Sequence, residues 1–184
     1  MWDHLFSTTN DVGVKATFKK TAPGSVDMSQ MRAEWGVCAA MSALWLNNMK
    51  KGRDILSAPD KAHAGLLYAK WANAQDGRGL TSEQFNSSLC ENAGLSVESV
   101  ERLGAASATL RMSAVHGAYY ISSGNHAMAT VTGAGAYYFF DPNNGAWKTN
   151  SLGEFNDVNG WVSAYSAFGG YDPSWMILRV SRAG

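Results

Sequence analysis

Gly36-Val37-Cys38-Ala39-Ala40-Met41-Ser42-Ala43-Leu44-Trp45-Leu46 opens the part of the chain that decides the fold. A cysteine follows a glycine turn and then a helical pattern begins. Val37, Met41, Leu44 and Trp45 fall on one helical stripe. The spacing predicts a helix from about Cys38 to Lys51, with Lys50 and Lys51 complementing its dipole and Gly52 ending it. Amides at a helix N-terminus present N–H groups and roughly half a positive charge. A thiolate is favoured there, so Cys38 is a candidate nucleophile.

Working outward, residues 1–27 lack clear periodicity and are expected to form an arm or a short edge strand. Residues 28–184 are then expected to form one catalytic-type domain. A second helix is predicted over about Pro59 to Ala74, closed by Asp76-Gly77. A third is predicted from Thr81 to about Asn92, where Thr81-Ser82-Glu83-Gln84 fits a capping box. A fourth helical region is expected between Ser96 and Val115, broken at Gly104. Beyond it the pattern changes to short aromatic and β-branched runs separated by glycine turns. Ala118–Ile121, His126–Thr132, Ala136–Asp141, Ala146–Thr149 and Trp175–Val180 are the expected strands. Ser151 to Phe168 is expected to be helical at both ends. Helices first and an antiparallel sheet second describe an α+β architecture.

The bulk numbers exclude several function classes. The chain has 184 residues, 46% hydrophobic and only 16% charged, which suits one folded domain with a sizeable core. Fifteen basic residues balance fifteen acidic ones, so no positive field points to nucleic acid. Lys50-Lys51-Gly52-Arg53 is read as solvated surface. The two cysteines, Cys38 and Cys90, are too few for a disulfide scaffold, and a reduced protein is expected. Met1-Trp2-Asp3-His4-Leu5-Phe6 has no basic segment leading into a long apolar run, so no cleavable secretion signal or membrane span is expected. No Cys-x-x-Cys or His-Glu-x-x-His spacing occurs, so neither a metal nor a cofactor is expected.

A nucleophilic cysteine needs a histidine base, and the histidine needs a group that holds its tautomer. His4 lies in the arm, His63 on a helix face among alanines and lysines, and His116 at a helix end. His126 opens a strand after Gly124-Asn125 and is the best-placed base. Read as a hairpin with the loop Thr132-Gly133-Ala134-Gly135, the segment places Val131 opposite Ala136. His126 then opposes Asp141 directly, on one face with Met128 and Phe139. A slip of one residue would separate them to opposite faces. Pro142-Asn143-Asn144-Gly145 ends the strand with a strong turn signal, and starting that turn is the plain structural role for Asp141. Cys90, late in an amphipathic helix near Phe85 and Leu89, reads as a buried, inert thiol. Trp147, Trp161 and Trp175 read as core or edge packing before cleft lining.

Gly36-Val37-Cys38 with its helix, Gly117-Ala118-Tyr119-Tyr120-Ile121, Asn125-His126-Ala127-Met128-Ala129 and Tyr138-Phe139-Phe140-Asp141-Pro142-Asn143-Asn144-Gly145, followed by Leu152-Gly153-Glu154-Phe155, together resemble the YopT/AvrPphB family of papain-like cysteine peptidases. The resemblance runs from about Gln30 to Val180, although Arg53 to Ser113 matches only in being helical. It implies Cys38 as nucleophile, His126 as general base and acid, and Asp141 as the orienting group. It also implies a bacterial effector, made in the bacterial cytoplasm and delivered into a target cell, where it cuts a specific protein. Such enzymes usually place an amide side chain five or six residues before the nucleophile as an oxyanion donor. Here those positions hold Ala33 and Arg32, and Gln30, eight residues upstream, is the nearest candidate. The Cys38 backbone N–H would be the second donor.

Three readings follow. The first is an endopeptidase working through a thioester acyl-enzyme. The second is a deamidase or transglutaminase-like acyl transferase, since the same triad attacks a side-chain amide equally well. The third is a non-catalytic binding module on the same fold. Immunity, chaperone or delivery partners are not named by the sequence.

Overall fold

The computed structural model describes residues 2–7, 33–54, 56, 80–123, 126–142, 145–157 and 174–183. In chain order the elements are β1 (Asp3–Ser7), α1 (Ala33–Lys50), α2 (Ser82–Asn92), β2 (Leu95–Gly104), α3 (Ala105–Ala114), β3 (Gly117–Ser123), β4 (His126–Gly133), β5 (Ala136–Asp141), β6 (Gly145–Thr149), α4 (Leu152–Asn156) and β7 (Ser174–Arg182). The strands form one antiparallel sheet in the order β1-β6-β5-β4-β3-β7-β2. The architecture is α+β, as the sequence predicts. The predicted helix over Pro59 to Ala74 and the later part of Ser151–Phe168 lie outside the described residues, as do His63, Trp71, Trp161 and Gln30.

Alternation along the strands sorts their side chains onto two buried faces. Ala118, Tyr120, Ala127, Ala129, Phe140, Met176, Leu178 and Val180 pack with the apolar residues of α1 and α2. Tyr119, Ile121, Met128, Tyr137, Phe139, Trp175 and Ile177 pack with Ala105, Ala108 and Met112 of α3 and Phe155 of α4. The centre of the sheet is thus covered on both sides, which is why its strands are so rich in apolar residues. Trp45 of α1 lies stacked on Phe140, ring centres 5.2 Å apart. That contact fixes α1 against β5 while the start of the helix lies toward the candidate site.

Helix ends follow the sequence signals. Thr81 Oγ1 accepts from the Gln84 N–H at 3.3 Å, and Gln84 Oε1 accepts from the Thr81 N–H at 3.0 Å. This reciprocal pair satisfies two otherwise unpartnered donors. Gly52, at φ +73°, ends α1 with its N–H on the Met49 carbonyl and the Arg53 N–H on the Asn48 carbonyl. These two bonds are the Schellman closure that a left-handed residue permits.

One expectation about the elements is corrected here. Leu95–Gly104 is a strand along β7 rather than the first part of a helix. The register shifts between Val97 and Ser99, a bulge that breaks the two-residue period. Val97 and Val100 then reach one core face and Leu103 the other. Their three-residue spacing imitates a helical stripe in sequence. The segment 1–7 contributes an edge strand, β1, which pairs with β6 through Asp3–Lys148 and Ser7–Gly145.

Candidate active site

The helix that carries Cys38 also departs from expectation. It starts at Ala33, so Cys38 is its sixth residue and not its opening one. Ala33 and Glu34 favour helix, and a helical glycine at Gly36 costs only about 1 kcal/mol relative to alanine. The glycine therefore stays inside the helix. The free N–H groups belong to the first four helical residues, and the dipole acts mainly over the first turn. Cys38 thus lies beyond the first turn, where the expected Cys38 N–H donor loses the helix-mouth position it was read to have. The expected donor Gln30 lies outside the described residues.

His126 opens β4 and Asp141 ends β5. Gly133 pairs with Ala136 and Ala129 with Phe140, so the hairpin loop is the two residues Ala134-Gly135. Gly135, at φ +80°, supplies the left-handed conformation that lets so short a turn close. The expected register placed Val131 opposite Ala136; the observed one places Val131 opposite Tyr138. Pairing is displaced by two residues. An even displacement keeps every side chain on its face, so His126 and Asp141 become diagonal neighbours on one face. Diagonal pairs lie within reach of a long side chain, and the His126 Nε2–H donates to Asp141 Oδ1 at 2.8 Å.

The other side of the ring meets α1. His126 and Cys38 are side-chain hydrogen-bond partners. With Nε2 engaged by Asp141, Nδ1 is the nitrogen left for the sulfur. Cys38 is 3% exposed, and the His126 and Asp141 side chains are 16% and 3% exposed. Burial alone would push the His126 imidazole down. The hydrogen bond to Asp141, then the hydrogen bond to and charge on Cys38, and last the Asp141 charge outweigh it and hold the ring up at about 10. The geometry thus gathers Cys38, His126 and Asp141 into one hydrogen-bonded series within a shielded site.

Ser123 stands directly opposite His126 in the β3–β4 pair and is 2% exposed. It was not singled out in the sequence, where its only signal is a polar residue ending the apolar run Ala118-Tyr119-Tyr120-Ile121. The other described histidines lie elsewhere. His4 is exposed on β1 with its ring 5.3 Å from Trp147, and His116 is exposed before β3. Cys90 is fully buried and burial pushes its thiol far up. Trp175 belongs to the core, and Trp147 stacks beside Phe139 at 6.1 Å. Among the described residues no group of three His, Cys, Asp or Glu is arranged to hold a metal. Among the same residues no helix is long and apolar enough to cross a membrane.

A single antiparallel sheet flanked by helices in this order is a papain-like cysteine-protease fold. Solved structures carry that conclusion. The avirulence protein AvrPphB of Pseudomonas is similar at TM-score 0.61 and 16% identity, over 89% of this chain and 99% of that one. The ubiquitin-specific protease encoded by the murine cytomegalovirus tegument protein M48, solved with a ubiquitin-based suicide substrate, is similar at TM-score 0.54 and 15% identity, over 89% and 85%. PatoxP, a cysteine protease-like domain of the Photorhabdus asymbiotica toxin PaTox, is similar at TM-score 0.51 and 11% identity, over 95% of this chain and 59% of that chain. No protein-family model and no curated protein sequence matches the chain.

Proposed function

We propose that the chain is a cysteine endopeptidase that cuts a specific protein inside a target cell through Cys38, His126 and Asp141. The observation that supports it most is the hydrogen-bonded series from the Cys38 thiol through the His126 ring to the Asp141 carboxylate. In this reading the Cys38 thiolate, with His126 as its imidazolium partner, attacks the scissile carbonyl carbon. The carbonyl π electrons move to oxygen and a tetrahedral intermediate forms. On collapse the C–N bond breaks, His126 gives its proton to the leaving amine, and a thioester remains on Cys38. His126 then takes a proton from water as that water attacks the thioester. The acid product leaves and the thiolate–imidazolium pair is restored. Asp141 keeps the imidazole oriented and its positive charge stabilised throughout.

Residues 28–184 form the catalytic domain in this reading, with residues 1–27 as a preceding arm whose β1 joins the sheet. The avirulence protein and the toxin domain among the similar structures support action in another cell. The ubiquitin-specific protease among them supports a protein substrate. The test is incubation of wild type and Cys38→Ala with target-cell lysate, followed by N-terminal proteomics. New protein termini that depend on Cys38 are expected. A Cys38-dependent gain of about 1 Da on glutamine or asparagine side chains, with no new termini, would replace the peptidase with a deamidase on the same chemistry.

A further inference from the structure

We propose that Phe6 is a positioning residue for the site, through which the N-terminal strand β1 holds Asp141 and the helix of Cys38 in place around His126. The inference rests on the catalytic reading of those three residues and adds a strap that controls them.

The backbone of Asp141 is held from the β1 side of the sheet. The β4–β5 ladder runs from the pairing of Gly133 with Ala136 to that of Ala129 with Phe140, and stops one residue short of Asp141. The strand partner of Asp141 is Gly145 of β6. Gly145 pairs in turn with Ser7 of β1. Asp141, Gly145 and Ser7 thus form one cross-strand row with β1 at its outer end. Without β1, β6 becomes a five-residue edge strand.

Side chains supply a second path. The Phe6 ring lies 5.9 Å from the ring of Phe140, the residue before Asp141. Phe140 also stacks on Trp45 at 5.2 Å. Trp45 follows Cys38 by seven residues, two turns along the same face of α1. Three rings therefore join β1, the strand that ends in Asp141 and the helix that carries Cys38.

Of these three rings, that of Phe6 is the one held least. Phe140 and Trp45 are fully buried, whereas Phe6 is half-buried. β1 has five residues, and its register shifts between His4 and Phe6. Leu5 and Phe6 pack at the margin of one core cluster and Trp2 at that of the other. A short edge strand with few buried apolar contacts opens at lower free energy than central strands. β1 therefore opens while β3, β4 and β7 stay paired, and the row that aligns Asp141 loosens with it. Among the described residues the titratable groups that act on His126 are Cys38 and Asp141, and β1 contributes none of them. The strap works by position, not by charge.

The test uses Phe6→Ala and Phe6→Tyr in the full chain, the second keeping the ring. NMR titration of the His126 ring reads its coupling to Asp141. Native-state amide exchange compares β1 and β6 with β3 and β7. Phe6→Ala is expected to speed exchange in β1 and β6 by about tenfold, with β3 and β7 little changed. It is also expected to lower the His126 midpoint by about half a pH unit or more. Phe6→Tyr is expected to restore both. An unmoved midpoint in Phe6→Ala overturns the proposal. So does a midpoint that falls without faster exchange in β1 and β6, faster exchange spread equally over β3 and β7, or a full loss in Phe6→Tyr. If Phe6→Ala fails to fold, wild type in sub-denaturing urea gives the answer. There the midpoint should fall as β1 and β6 open, and its persistence until global unfolding overturns the proposal. No readout requires a substrate. Absence of any Cys38-dependent change in lysate would sink the peptidase reading and leave the strap untouched.

Discussion

Asp141→Ala is the perturbation whose consequence is best defined by the structure. Asp141 supplies the largest contribution that opposes burial and keeps the His126 ring protonated. A hydrogen bond to a charged group contributes about 1.5–3 kcal/mol, and one pH unit corresponds to about 1.4 kcal/mol. Removing the carboxylate should therefore lower the His126 midpoint by roughly 1–2 pH units from about 10. The sign for stability follows from linkage. The folded ring holds its proton above the ordinary value of 6.5, so the stabilisation is complete below 6.5 and fades as pH rises through about 10. Asp141→Ala should accordingly lose stability most at and below neutral pH, by about 1.5–3 kcal/mol, and lose little near pH 10. Urea unfolding at pH 6 and at pH 10, with NMR titration of the His126 ring, reads both quantities. A wild-type midpoint near 6.5, or one that Asp141→Ala leaves unmoved, would refute the reasoning about this pair.

Three further outcomes are expected. Phe140→Ala, which empties the fully buried ring stacked on Trp45, should destabilise the fold by about 3–5 kcal/mol in denaturant unfolding. Tyr120→Phe removes the hydroxyl that donates to buried Asn86 Oδ1 at 2.8 Å, and should cost about 1–3 kcal/mol in the same assay. Thr81→Ala opens the capping box of α2 and should cost about 1 kcal/mol, with amide exchange accelerated at Gln84 before the rest of the helix.

What could be read from the residues depended on how local the controlling physics was. The α2 capping box, the glycine stop of α1 and the strands from Gly117 to Thr149 follow from short-range chemistry, and the structure has them where the sequence puts them. His126 and Asp141 could be paired from alternation alone, because a face depends only on parity. The register itself escaped by two residues. Whether Gly133 turns or stays extended is settled by its partner Ala136 across the ladder, and the sequence does not display that competition. Leu95–Gly104 was misread because a bulge at Val97–Ser99 converts a strand's period into a helix-like one. Gly36 was read as a turn ahead of the helix because glycine so often makes one. Its helical penalty is small enough for the strong helix formers around it to override.

The separation of the three site residues along the chain has a consequence for the order in which the protein becomes itself. His126 and Asp141 lie 15 residues apart within one hairpin, a unit of the kind that forms in microseconds. Cys38 lies 88 residues upstream of His126, on a helix that packs against the sheet. Closing so long a loop is entropically later than zipping the hairpin. The ring and carboxylate are therefore expected to couple before the sulfur arrives, so a chain caught short of the docking of α1 would lack the Cys38 contact. Pulse alkylation of Cys38 during refolding, timed against hairpin formation, reads that sequence of events. Chemical competence would then serve as an internal report that folding has finished.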